Sequence, residues 1–238
     1  MDINFKKQIL NDFSISPEGF KDKNNIFVVN KADESFLFYN KAPFAAICTG
    51  GKVFMRSENP TLINKLKKKF EQYPGAWFAE ADNIRVLDKI LREFGIEIDN
   101  FFPLMTFSDR YVEVKDFEFT RIERDKIKDF KGKTKMAFAF DEDDRIGLSF
   151  YDGKDLIALA GASVAGKYLW DIGLEKFSKE PKYQGLGASI LRSLSLIIKQ
   201  EYEDISPITA TQFSHTKSIN TSIRAGYEIN LCITGKQK

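Results

Sequence analysis

The sequence is poor in the residues that form metal sites and disulfide frameworks. Its 238 residues include one histidine, His215, and two cysteines, Cys48 and Cys232, which stand far apart. Neither cysteine belongs to a paired spacing, so the pattern predicts no metal site and no disulfide. We therefore expect a reduced, cytoplasmic protein without a bound metal.

An excess of one charge is also missing. The chain has 36 basic and 34 acidic side chains, which leaves a formal charge of +2. Proteins that bind nucleic acid usually carry a basic excess. The lysines between positions 65 and 69 follow a helical pattern, which is typical of a solvated helix face. These features predict no nucleic-acid partner.

Long hydrophobic runs are absent from the sequence. Residues 1–10 contain no apolar stretch of signal-peptide length. The apolar run at residues 194–198 is far shorter than the ~20 residues that a helix needs to cross a membrane. Hydrophobic residues make up 43% and charged residues 29% of the chain, a balance typical of soluble globular proteins. We expect no membrane association.

The length favours two domains, which we place at residues 1–112 and 113–238. The first is predicted to be α+β, with two helices that begin at Asn59 and Asp82. Short apolar runs separated by turn residues predict strands, the first four of them in an antiparallel meander. These runs are residues 26–29, 36–39, 44–48, 53–56 and 76–79.

The second domain has a different pattern. Residues 120–130 are predicted to form a helix, and alternating apolar residues then predict three antiparallel strands. A glycine-rich turn follows at residues 181–189 and leads into a helix, a strand, a helix and a last strand. The predicted strands are residues 145–151, 155–164, 168–177, 208–213 and 227–233, and the last helix is residues 214–224.

The turn after the third of these strands predicts an anion site. A strand that leads through glycines into a helix presents free backbone N–H groups at the positive end of the helix dipole. Gly185 and Gly187 have no Cβ, so a phosphate can approach the backbone there. A helix entry that uses glycines only for packing is the simpler alternative.

Residues 181–189, Pro-Lys-Tyr-Gln-Gly-Leu-Gly-Ala-Ser, resemble the acetyl-CoA-binding signature of the GNAT acetyltransferases. Gln184 and Gly187 match that signature, and Ser189 replaces its final Gly or Ala. Residues 225–227, Ala-Gly-Tyr, resemble the end of a second family motif, in which His215 stands where Asn is usual. The resemblance covers roughly residues 117–233.

The resemblance implies a mixed, mostly antiparallel sheet flanked by helices, with an additional N-terminal α+β domain that is a possible degenerate relative. It also implies acetyl-CoA as the cofactor, with its pyrophosphate on the amides of the signature and its pantetheine arm on the strand end before it. The implied cofactor-binding residues are Phe177, Ser178, Lys179, Gln184, Gly185, Leu186, Gly187, Ala188, Ser189, His215 and Ser218.

Acetyl transfer to an amine needs a base, and Asp171 and Glu175 lie on one face of the third strand. They are the candidate catalytic residues, unless one or both are surface charges. Many relatives use a tyrosine as the acid, but that position is Ser222 here. Tyr183 and Tyr168 are the possible substitutes, and positioning alone is a further route.

We expect an N-acetyltransferase for a small-molecule amine, as a monomer or homodimer. The alternatives are a longer-acyl or aminoacyl transferase, and a non-catalytic coenzyme A-binding or regulatory module. Residues 161–168 nearly match a phosphate loop, but Tyr168 replaces its Ser or Thr. Ser163 nearly forms a nucleophile elbow, but Ala165 replaces a glycine. A hairpin strand packed against a crowded neighbour explains both better.

Overall fold

The computed structural model describes residues 1–108 and 110–238. The chain divides into two compact units. The first contains residues 1, 3–104 and 230–238, and the second contains residues 2 and 105–229. The two boundaries fall inside long strands, so each strand begins in one unit and ends in the other.

The first unit combines four helices with a small sheet. Its third helix begins where the sequence predicts, because Asn59 Oδ1 accepts hydrogen bonds from the amides of Thr61 and Leu62. The helices are α1 (Ile3–Asp12), α2 (Pro17–Phe20), α3 (Pro60–Phe70) and α4 (Ala81–Arg92). The strands are β1 (Ile26–Val29), β2 (Phe44–Thr49), β3 (Lys52–Ser57), β4 (Ile96–Phe107) and β10 (Tyr227–Gln237).

The sheet of this unit differs in part from the predicted meander. β3 pairs antiparallel with β2 but parallel with β1, and β10 pairs antiparallel with the other side of β2. The predicted strands at 36–39 and 76–79 are wrong, because 3-10 turns form at Phe38–Lys41 and Gly75–Trp77. Short apolar runs fit a strand and a buried turn equally well.

The second unit is built on five strands in the order β9-β8-β7-β6-β5. Within it, three antiparallel strands, a glycine turn, a helix, a strand and a helix follow one another as predicted, and β10 then begins. The strands are β5 (Thr120–Ile122), β6 (Asp144–Asp152), β7 (Asp155–Gly166), β8 (Leu169–Lys176) and β9 (Ser206–Ala210). The helices are α5 (Leu186–Glu201) and α6 (Thr216–Ala225).

The predicted helix at 120–130 is wrong. β5 occupies its start, and a 3-10 turn occupies Arg124–Phe130. Ile127 and Phe130 are buried as a helix would bury them, because their spacing of three residues also suits one turn of 3-10 helix. The predicted mixed, mostly antiparallel sheet flanked by helices is confirmed.

One face of the second sheet carries a row of three glycines. Gly147, Gly161 and Gly173 lie opposite one another on β6, β7 and β8. A Cβ on Gly161 would lie 2.1 Å from the carbonyl oxygen of Ala137, and one on Gly173 would lie 1.8 Å from that of Met136. The chain between Met136 and Ala137 therefore crosses directly over the strands. This contact is the crowded neighbour that the sequence predicts for Gly161.

The other face is covered by α5, whose apolar side chains pack against β6, β7 and β8. Its buried residues include Leu186, Ile190, Leu191, Leu194 and Ile198. Because α5 is anchored along this stripe, its first turn is fixed beside the end of β8. No helix among residues 1–108 and 110–238 is long and apolar enough to cross a membrane.

Candidate functional site

The glycine turn ends with a set of unpaired backbone amides. Gly185 adopts the left-handed conformation, with φ of +91°, and α5 begins at the next residue. The amide of Gln184 donates to the Pro181 carbonyl, and that of Ser189 donates to the Gly185 carbonyl, both at 3.0 Å. The four amides from Gly185 to Ala188 have no acceptor in the part of the chain that the structure describes. Unpaired amides at a helix start form an anion site.

The surroundings of the turn explain its second glycine, Gly187. A Cβ on Gly187 would lie 3.2 Å from Thr221 Cγ2 on α6 and 3.7 Å from Leu174 Cδ2 on β8. Gly187 therefore lets the turn approach both neighbours closely. A Cβ on Gly185 would lie 3.5 Å from the Cβ of Lys115, whose Nζ donates to the Lys182 carbonyl at 3.3 Å. Lys115 thus brings a positive charge to the turn.

The residues before the turn are held by one carboxylate. Asp152, at the end of β6, accepts hydrogen bonds from Lys182 Nζ at 2.7 Å and from the Tyr183 hydroxyl at 2.6 Å. These two hydrogen bonds lower the pKa of Asp152, so it stays ionised at neutral pH. Lys176 Nζ adds a hydrogen bond to the Tyr183 carbonyl at 2.9 Å. The backbone leading into the amides is therefore fixed from two strands.

β8 has an open edge beside this turn. The amide of Phe177 donates to the Ile157 carbonyl of β7, and the same register continues along β8. The N–H and C=O of one residue point to the same side of a strand, and successive residues alternate, so those of Leu174 and Lys176 point away from β7. On that side β9 pairs with β8 only as far as Asp171, opposite Ile208. The two strands separate beyond that position.

The separation leaves backbone groups of β8 without a strand partner. The Ile172 carbonyl accepts a hydrogen bond from the Thr209 hydroxyl at 3.0 Å in place of a backbone amide. Leu174 and Lys176 follow, and in the described part of the chain no strand pairs with their open side. Leu174 also lies beside Gly187, so the open edge and the unpaired amides are neighbours.

Several predicted cofactor residues lie beside these groups rather than among them. The Phe177 amide is used by β7 and points away from the open edge. Ser178 Oγ hydrogen-bonds to Glu180, and Lys179 is exposed. At the start of α6, the amide of Ser218 donates to the His215 carbonyl, and the His215 ring lies 3.2 Å from the hydroxyl of Thr211.

The two candidate bases have opposite environments. Asp171 is half-buried, and its Oδ1 is shielded from solvent without a hydrogen-bond partner. Burial raises the pKa of Asp171 to about 7, against the effect of a hydrogen bond from the Ile172 amide. Burial also acts to raise the pKa of Glu175, but hydrogen bonds from Thr134 and from backbone amides outweigh it and lower that pKa. Of these two carboxylates, Asp171 is the one that can exchange a proton near neutral pH.

Of the three positions considered for a general acid, two have hydroxyls bound inside the protein, and the third lies at the far end of β8. Ser222 is buried, and its hydroxyl donates to the Ser218 carbonyl within α6. The Tyr183 hydroxyl is bound to Asp152, which raises the pKa of that tyrosine. Tyr168 directly precedes β8, whereas the open edge lies at the other end of that strand. Both tyrosines are candidates for the acid in the sequence, which does not show where their hydroxyls lie.

Comparison with known proteins gives structural similarity only. No protein-family model matches the chain, and no curated protein matches it in sequence. A putative GNAT-family acetyltransferase from Novosphingobium aromaticivorans is 16% identical, with a TM-score of 0.42 over 60% of this chain and 68% of that one. A GCN5-related N-acetyltransferase from Kribbella flavida is 16% identical, with a TM-score of 0.43 over 64% of each chain.

A GCN5-related N-acetyltransferase-like protein from Streptococcus suis matches over a longer range. It is 10% identical, with a TM-score of 0.39 over 90% of this chain and 89% of that one. The match to the Kribbella protein spans less than two thirds of its length. At these identities and scores, the roles of individual residues rest on the geometry of this chain.

Proposed function

We propose that this chain is an acetyl-CoA-dependent N-acetyltransferase of the GNAT superfamily, which acts on a small-molecule amine by direct attack in a ternary complex. The observation that carries the proposal is that four amides without an acceptor in the described residues, from Gly185 to Ala188, lie beside the open edge of β8 at Leu174. A diphosphate fits the amides, and an extended arm with amide groups fits the edge. Coenzyme A has both parts.

The side chains around the turn support this assignment. Gly187 keeps the first turn of α5 close to Leu174, so one extended ligand can reach both features. The N–H and C=O groups of Leu174 and Lys176 would bond to the ligand as they would to an added strand. Lys115 places a cation beside Gly185, where it favours a negatively charged ligand.

The proposed base is Asp171. It occupies the last position at which β8 and β9 are paired, next to the point where they separate. Asp171 accepts the proton that the amine loses, directly or through one water, as the nitrogen bonds to the acyl carbon. Glu175 instead fixes the chain at Thr134 and Lys135 over the sheet. The leaving thiolate takes its proton from solvent, because Ser222 donates its hydroxyl within α6.

A second candidate function is a non-catalytic coenzyme A-binding module. The hydrogen bond between Ser222 and the Ser218 carbonyl favours it, because the position that supplies an acid in relatives is occupied internally. Such a module would keep the glycine turn and the open edge. It would not need Asp171 to exchange a proton.

Calorimetric titration and a thiol-release assay separate these functions. We expect coenzyme A and acetyl-CoA to bind and pantetheine to bind far more weakly, since it has no diphosphate. Thiol release from acetyl-CoA with a panel of small amines should then fall roughly 100-fold or more in Asp171→Asn, and much less in the matched variant Glu175→Gln. Binding without turnover would favour the module, and absence of coenzyme A binding would contradict both functions.

A further inference from the structure

The second unit contains a cavity of about 210 Å³ at a distance in sequence from the glycine turn. One wall is the 3-10 turn at Arg124–Phe130, and the other is the segment that enters β6. None of its residues belongs to the glycine turn or to the open edge of β8. The lining residues are Arg124, Ile127, Lys128, Lys131, Phe140, Asp141 and Asp144.

The first wall concentrates positive charge. Arg124, Lys128 and Lys131 all line the cavity, together with Ile127. Among the residues that the structure describes, the ion pairs nearest in sequence on either side are those of Lys126 and Arg145, and neither Lys128 nor Lys131 forms one. Arg124 donates to the Glu142 carbonyl at 2.7 Å and so bridges the two walls. Two ammonium groups are left without a fixed partner.

The second wall contains an aromatic residue, Phe140, whose backbone is strained. Phe140 has φ of +63°, a conformation that residues other than glycine rarely adopt. The Asp144 carboxylate stabilises it by accepting hydrogen bonds from the amides of Phe140 at 2.7 Å and Ala139 at 3.3 Å. Ser163 Oγ donates to the same carboxylate at 2.6 Å. Strain of this kind is retained where the surroundings fix it, often at binding sites.

The acidic side chains of the cavity are less available to a ligand than its basic side chains. Asp144 is buried and bound to three donors, so little of its acceptor capacity is left. Asp141 accepts a hydrogen bond from the Asp143 amide at 2.9 Å. Against one exposed carboxylate, the cavity therefore presents the cations of Lys128 and Lys131 together with the Arg124 guanidinium.

We propose that this cavity binds a small organic phosphate with a flat apolar group. Ammonium and guanidinium groups together suit a phosphate dianion. The half-buried ring of Phe140 offers apolar surface for the flat group, and the buried Ile127 lines the cavity beside it. The proposal is independent of the coenzyme site, because a different set of residues carries it.

Phenyl phosphate is the probe that tests the proposal. In ¹H–¹⁵N NMR titrations, we expect saturable shifts of the amides of Ile127 and Phe140, with phenyl phosphate binding roughly tenfold tighter than inorganic phosphate or phenol. The double variant Lys128→Met/Lys131→Met should weaken phenyl phosphate roughly tenfold or more. Lys126→Met, on the same turn but beside Asp125, is the control and should bind as the wild type does.

A second variant tests the ring separately from the charges. Phe140→Gly relieves the strained backbone while it removes the apolar wall. It should abolish the advantage of phenyl phosphate over inorganic phosphate. Shifts confined to the amides of residues 185–188, equal weakening in Lys126→Met, or phenol binding as tightly as phenyl phosphate would each overturn the proposal.

Discussion

Replacing Asp171 with asparagine removes a charge but keeps the shape of a side chain whose Oδ1 is buried without a partner. Burial raises the pKa of this group from 3.8 to about 7, so the folded protein holds the proton more tightly than the unfolded chain does. The wild type therefore loses stability as the pH rises from about 4 to about 7. A difference of that size converts to at most roughly 4 kcal/mol in the free energy of unfolding.

Urea unfolding of the wild type and of Asp171→Asn between pH 4 and pH 8 measures this difference. The two proteins should differ least at pH 4, and the variant should gain stability relative to the wild type up to pH 7 and keep that gain above it. Burial also raises the pKa of Asp12 to about 6, but Asp12 is present in both proteins and cancels in the difference. Parallel curves over the whole range would refute the protonation of Asp171.

Three further substitutions test other contacts. Gly173→Ala places a Cβ against the Met136 carbonyl and should lower the free energy of unfolding by more than ~2 kcal/mol in urea titrations, whereas an unchanged value would contradict the crossing of the glycine row. Lys115→Met should weaken coenzyme A roughly fivefold in calorimetry and leave pantetheine unchanged; equal effects on both would remove Lys115 from the phosphate site. Gly187→Val crowds Thr221 and should lower the free energy of coenzyme A binding by more than it lowers the free energy of unfolding. Unchanged binding would exclude a close approach of coenzyme A to Gly187.

The parts of the fold that the sequence predicts are those with local causes. Asn59 determines the start of α3, and alternating apolar residues locate β6 and β7 on either side of the turn at Gly153. Gly185 and Gly187 indicate the glycine turn, because a left-handed residue and a close approach both favour glycine. α1 is not identified from the sequence, although Asp2, a residue type favoured at helix starts, directly precedes Ile3.

The parts that the sequence does not predict depend on distant contacts. Asp171 and Glu175 are both carboxylates on one face of β8, and the sequence does not distinguish them. In the structure Glu175 is bound by Thr134, which lies 41 residues away. The cavity beside Phe140 depends on a positive φ that the Asp144 carboxylate stabilises. Neither the contact of Glu175 nor the cavity beside Phe140 has a local signal in the sequence.

An ¹H–¹⁵N NMR titration with coenzyme A tests the anion site at the start of α5 most directly. The amides of Gly185, Leu186, Gly187 and Ala188 should move downfield as they gain phosphate acceptors, and that of Ser189, which already donates to Gly185, should move least. Pantetheine should leave all five nearly unchanged. Saturable binding of coenzyme A with those four amides unmoved would contradict the assignment of the site.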